Sequence, residues 1–194
     1  MEKTFYIVNH GETNWDRIGR IKGQKDVPLN DFGVEQVENL IERLEKLPIS
    51  YIYSSSLKRA MVTADMISKR FNLKVKETPL LKEVCFGEAE GKFYSELSFD
   101  LKKLLNSIYI RSVENDGKSK IHGSECFEEV FERFFTLMDM LPENEDNILL
   151  VSHSVFIKVI LLKFLNDHVM IGNCACFSFK YNTETREITC VQCI

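Results

Sequence analysis

The chain has 194 residues, 44% of them hydrophobic and 28% charged, which suits one globular domain, because single hydrophobic cores grow to roughly 250 residues before they split. Its formal net charge of −4 argues against nucleic acid or an anionic membrane as the main partner, and no apolar run approaches the ~20 residues of a membrane span. "MEKT" leads straight into a strand pattern without a secretory leader, so a cytoplasmic location is expected. The six cysteines, at 85, 126, 174, 176, 190 and 193, are then expected to be reduced and mostly buried. Cys190 and Cys193 form C-x-x-C without a second pair or a nearby histidine, and read as residues of a final strand rather than a zinc site. Neither a metal nor a cofactor is expected.

The elements alternate along the chain. "TFYIV" (4–8) reads as a buried strand. A polar loop runs to about Asn30, then Val34, Val37, Leu40, Ile41, Leu44 and Leu47 recur at helical spacing until Pro48 stops them. "YIYS" (51–54) is a second strand, followed by a helix carrying Leu57, Ala60, Met61, Ala64, Ile67 and Phe71, then by "LKVKE" as a short third strand. Loop residues Pro79, Gly87 and Gly91 precede a helical insertion at about 92–122, with Leu97, Leu101, Leu104, Leu105 and Ile108 on its apolar stripe. Phe127, Val130, Phe131, Phe134, Met138 and Leu141 predict another amphipathic helix. "NILLVS" (147–152) is a strongly apolar strand, the helix over 155–165 is apolar nearly all round, and two strands near "CACFSFKYN" and "REITCVQCI" end the chain.

This order predicts an α/β fold of three layers, a mainly parallel central sheet with helices on both faces. Ligands of such sheets bind outside the carboxyl ends of the strands. Three strands deliver polar residues there: "VNH" with His10, "SSSLKR" with Arg59, and "VSHS" with His153. A lone histidine or helix arginine is ordinarily structural; two histidines at equivalent strand ends with an arginine on a third shift the reading to a site. His122 and His168 lack that setting and read as structural.

These residues resemble the histidine phosphatase superfamily, in its phosphoglycerate mutase-like branch, over essentially the whole length. "NHGETNW" is similar to the family's Arg-His-Gly-Glu-Thr/Ser signature, and "GRIKGQKDVPLNDFGVEQVENL" to the loop and helix after it. "YSSSLKRAMVTADMI", "LLKEVCFGEAEGK", "GSECFEEVFER" and "VSHSVFI" match four further blocks in the right order. The resemblance implies a metal-independent phosphatase acting on a small phosphomonoester, as a monomer or homodimer. His10 would be the nucleophile that becomes phosphohistidine, and Glu83 the general acid and then base. Arg59 and His153 would hold phosphoryl oxygens, with backbone approach from Gly11, Gly23 and Ser154. Phosphoryl transfer needs positioned charge more than covalent complexity, which suits this set.

Four positions depart from the family pattern. Asn9 stands where the family carries arginine, and an amide cannot replace a planar cationic fork. Turnover below the family norm is expected unless Lys22, Lys58 or Arg20 supplies the charge. Asp16 replaces a frequent asparagine; it either faces the phosphate and repels it or pairs with Arg17 or Arg20. Cys126 is a poor substitute for a capping serine, leaving Ser124 to take over the cap. Ser154 in place of glycine or alanine is tolerable. Only 40 residues lie between Glu83 and Ser124, and the tract lacks the Arg-His-Tyr of mutases, which favours a phosphatase. Lys102, Lys103, Arg111, Lys118 and Lys120 are further anion contacts or a solvated face. Two alternatives stay open: an impaired family member that binds a phosphorylated ligand, and a phosphoglycerate-mutase-type phosphotransferase.

Overall fold

The computed structural model describes residues 1–109, 122–165 and 171–194, without the side chains of 104, 106–109 and 163–165. Its elements, in chain order, are β1 (Glu2–Asn9), α1 (Asn14–Arg17), α2 (Asp31–Leu44), β2 (Tyr51–Ser55), α3 (Lys58–Phe71), β3 (Val75–Thr78), α4 (Phe99–Tyr109), α5 (Phe127–Met140), β4 (Ile148–Ser152), α6 (Ser154–Leu165), β5 (Cys176–Asn182) and β6 (Glu187–Cys193). The sheet order is β3-β2-β4-β1-β5-β6. The four strands β3, β2, β4 and β1 run parallel, and β5 and β6 add an antiparallel hairpin at the β1 edge.

Strand alternation assigns the layers. Phe5, Ile7, Ile148 and Leu150 face a core shared with α5 and α6, where Phe134, Phe156 and Ile157 are buried. Tyr6, Val8, Leu149 and Val151 face the opposite core, with Val37 and Leu40 of α2 and Ala60, Ala64 and Ile67 of α3. Both faces of the parallel strands are therefore covered, which is why "NILLVS" is buried throughout β4. The expected three-layer α/β architecture is the one observed. No helix among the described residues is long and apolar enough to cross a membrane.

The helix starts explain the local sequence. Asn30 caps α2 by accepting from Gly33 N at 2.7 Å. Leu57 has no capping side chain, and Asp26 reaches across from the preceding loop to take Lys58 N at 2.7 Å. At α5 the expectation for Ser124 fails. Its hydroxyl is buried without a partner among the described residues, and Glu129 instead accepts from Cys126 N at 2.9 Å. Ser124 is held by a backbone bridge to Phe86, too far back to serve as the cap.

The cysteines are all free, but Cys190 and Cys193 are exposed and Cys85 is partly exposed, so "mostly buried" holds only for Cys126, Cys174 and Cys176. Cys190 takes a positive φ of 53° where the β5–β6 register slips, which puts the C-x-x-C on an irregular edge strand. Among the described residues no cluster suits a metal ion. Arg111, Lys118, Lys120, His168 and the later part of the expected insertion lie outside the described residues.

Candidate active site

β1 and β4 are neighbours in parallel register, with Asn9 beside Ser152. The next residue of each strand is a histidine, so His10 and His153 emerge side by side, ring centroids 5.1 Å apart. Both are buried, as are Asn9, Arg59 and Glu83.

Hydrogen bonding sets the His10 tautomer. His10 Nδ1 lies 2.6 Å from Gly11 O, which can only accept, so Nδ1 carries the proton. Nε2 keeps its lone pair and accepts from Arg59 Nε at 3.1 Å. Burial, then the charges of Arg59 and Lys22, push this imidazole down to about 3. His153 Nε2 meets Ser55 Oγ at 2.7 Å, and Ser55 Oγ also accepts from Leu57 N at 3.3 Å. A serine oxygen can accept twice, so this contact admits either tautomer of His153; with the hydroxyl donating to Nε2, the imidazole proton sits on Nδ1. Nδ1 is buried and has no partner among the described residues. Burial, followed by Arg59 and His10, holds His153 well below the ordinary imidazole range.

Arg59 follows the first residue of α3 and is fully buried rather than solvated. Gly23 O and Lys25 O accept from its terminal nitrogens at 2.7 and 2.8 Å, which aims the Nε edge at His10. Gly23 has φ +51°, and a Cβ there would meet the Glu90 carboxylate at 2.1 Å. Thr63, one turn further along α3, donates to Arg59 O at 2.8 Å and accepts from Gly11 N at 3.3 Å. Gly11 thus spends its amide on Thr63 and its carbonyl on His10. It packs on Gly33, whose carbonyl would lie 2.4 Å from an added Cβ.

Glu83 sits against the start of α6. Oε1 accepts from Val84 N and Phe156 N, both at 2.9 Å, and Oε2 from Val155 N at 3.2 Å. Burial raises its pKa, opposed by those amides and by Arg59, and the net direction is up. Oε2, with one long bond, is the freer oxygen. Glu83 and Ser154 line a cavity of about 290 Å³ with Arg20, Lys22, Phe86 and Tyr94.

The departures now have positions. Asn9 Nδ2 donates to Gly172 O at 2.8 Å, while Oδ1 is buried without a partner among the described residues. Asp16 pairs with Lys22 rather than with Arg17 or Arg20, and its other oxygen accepts from Thr13 N and Oγ1 at 2.8 Å each. Burial works to raise this carboxyl; the Lys22 charge and hydrogen bond outweigh it, so it lies below the ordinary carboxylate range. Lys58 is 69% exposed beside Asp26, and Lys102 lies over the Tyr94 ring. The sequence reading missed Ser55, Thr63 and the strap at 172–175, where Cys174 N and Asn173 Nδ2 hold His10 O. "SSSL" and "VTAD" carried a signal for the first two, as hydroxyls beside an otherwise apolar helix start and helix face. The strap had none.

A family model described as histidine phosphatase superfamily (branch 1) matches residues 5–193. A metal-independent phosphoserine phosphatase of Arabidopsis thaliana is 33% identical over 162 residues, 81% of this chain and 66% of that protein, so the aligned part falls just short of two thirds of the relative's length. A probable phosphoglycerate mutase of Proteus mirabilis is 31% identical, over 80% of this chain and 72% of that protein. A solved phosphoserine phosphatase from Entamoeba histolytica, in complex with 3-phosphoglyceric acid, superposes with a TM-score of 0.77 at 25% identity, over 97% of this chain and 96% of that one.

Proposed function

Since the chain belongs to the histidine phosphatase superfamily, branch 1, we propose that it is a metal-independent phosphatase that hydrolyses a small phosphomonoester through a phosphohistidine at His10. The observation that carries this reading is the pairing of a neutral His10, whose Nε2 lone pair meets the Arg59 Nε–H, with a buried His153 Nδ1 that has no partner among the described residues. One group attacks phosphorus; the other donates to a phosphoryl oxygen.

The reaction runs in two displacements. His10 Nε2 attacks phosphorus opposite the leaving oxygen, and the Arg59 Nε–H that rested on the lone pair turns to a phosphoryl oxygen. As the N–P bond forms, the O–P bond breaks and the leaving oxygen takes the proton from Glu83. The raised pKa of Glu83 favours the protonated form that this step requires. Glu83, now a carboxylate, takes a proton from water; the water oxygen attacks phosphorus, the N–P bond breaks, and the electron pair returns to Nε2. The relatives that act on phosphoserine or phosphoglycerate support a small phosphorylated substrate.

The test is hydrolysis of a panel of phosphomonoesters by the folded chain and by His10→Ala. Release of inorganic phosphate that is lost on substitution supports the reading, and a folded protein inert on the whole panel refutes it. A second reading, ligand binding without turnover, draws on Asn9 Oδ1, an acceptor without a partner among the described residues where the family carries a cation. Phosphate transfer to a second hydroxyl of the same substrate, rather than to water, identifies a mutase.

A further inference from the structure

Asn9 leaves the pocket one cation short, and Lys22 is a cation that the mechanism above does not use. Its side chain is only 13% exposed and lines the cavity beside Gly23, Glu83 and Ser154. An ammonium carries three donors; Asp16 Oδ1 takes one, and no other partner stands among the described residues. Asp16 is itself fixed by the capping box with Thr13. The backbone around Lys22 is equally held. The Arg20 guanidinium lies between the rings of Trp15 (5.2 Å) and Phe93 (4.7 Å), and Ile21 exchanges hydrogen bonds with Lys92 O at 3.0 Å and Gly91 N at 2.8 Å. Lys22 is also among the charges that depress both His10 and His153, which places its field on the two imidazoles. Arg20 lines the same cavity and its buried Nε has no partner among the described residues. Its guanidinium plane is clamped between two rings, however, whereas the Lys22 ammonium is anchored by Asp16 alone; Lys58 is too exposed to compete.

We propose that Lys22 is the second phosphoryl-binding cation of this protein, replacing the charge missing at position 9, and that Asp16 is the positioning residue that parks its ammonium at the cavity until an anion arrives. This rests on the phosphoryl-binding reading of the site, and it goes beyond that reading by making positions 9, 16 and 22 one compensating set. Arg59 and Lys22 offer two positive charges to a phosphate dianion, and Asp16 offsets one of them. The carboxylate that orients Lys22 therefore also weakens it.

The test is titration calorimetry of the full chain with inorganic phosphate, which needs no turnover. Lys22→Gln is expected to weaken binding about 10- to 100-fold, but less than about threefold once Asn9→Arg is also present, the signature of coupled positions. Lys22→Arg keeps affinity within a few fold and guards against misfolding of the glutamine variant; Lys58→Gln changes it less than about twofold. Asp16→Asn tightens phosphate about tenfold, an effect that a purely helix-capping role does not produce. Equal losses from Lys22→Gln in both backgrounds, no loss, or no phosphate binding by the unsubstituted protein overturns the proposal. Binding that depends on Lys22 without hydrolysis of any ester leaves it standing and refutes the phosphatase reading instead.

Discussion

Two polar clusters lie along the parallel strands, and they differ in whether their hydrogen bonds are complete. On β2, Tyr53 Oη donates to Glu145 Oε2 at 2.6 Å, and Lys76 Nζ reaches both Glu145 Oε1 and Tyr53 Oη. Both Glu145 oxygens and the phenol are thus satisfied within the protein. At the carboxyl ends of β1 and β4, the site leaves His153 Nδ1 and Asn9 Oδ1 without partners among the described residues while burying both residues. An unpaired buried polar group costs about 1–3 kcal/mol, so the closed cluster reads as structural and the open one as built for a ligand. Substitutions in the open cluster should change chemistry, and those in the closed one stability.

The largest effect is expected from His10→Ala: a drop of about 10⁴-fold or more in kcat on a phosphomonoester, since residues that act as a unit in covalent catalysis fail together, with an unchanged far-ultraviolet spectrum. Glu83→Gln should cost about 10²- to 10⁴-fold on an alkyl phosphate and far less on p-nitrophenyl phosphate, whose phenolate leaves without a proton. It should also erase the alkaline limb of the alkyl phosphate profile, because the raised Glu83 carboxyl supplies the proton there. Equal losses on both esters would remove Glu83 from the acid role.

Asn9→Arg should raise kcat/KM by about 10- to 100-fold, approaching the full worth of a preorganised donor; Lys22 already supplies part of it. Glu145→Gln, in the closed cluster, should lower stability by about 1–3 kcal/mol in urea unfolding through its bond to buried Tyr53 and leave kcat within about twofold. A large loss of activity there would break the distinction between the clusters.

The smallest effect concerns pH. His10 and His153 have folded pKa values below that of a free imidazole, so the unfolded chain binds more protons as pH falls. Their contribution is fully present above about 6.5, and for His10 it is lost as pH drops toward about 3. Glu83 acts in the opposite sense: its raised pKa favours the folded state at low pH, and that contribution declines as pH rises through the folded value. Urea midpoints between pH 7 and 4 in the unsubstituted chain and in His153→Gln measure the histidine part, and the variant should show the flatter curve.

Much of this was legible in the sequence because it depends on periodicity. Apolar runs and helical spacing marked the elements and their order, and equivalent strand ends brought His10 and His153 together. What escaped depends on contacts between distant residues. No local pattern tells that Gly172 would claim the Asn9 amide or that Ser55 would meet His153 Nε2, across 163 and 98 residues respectively. Asp16 stood between facing the phosphate and pairing with Arg17 or Arg20, because nearness in the chain does not say which way its carboxylate turns. The stacking of Arg20 on Trp15 and Phe93 removed one of them, and Glu12 took the other at 2.9 Å.

The central claim is that His10 Nε2 carries the phosphoryl group between the two displacements. Phosphohistidine survives base and decays in acid, so the decisive measurement is phosphorus NMR and peptide mass spectrometry of the chain after turnover and base quenching. The account predicts a phosphoramidate on Nε2 of His10 that is absent in His10→Ala. Steady release of phosphate with no label at His10, under a quench that preserves phosphohistidine in a control protein, would contradict it.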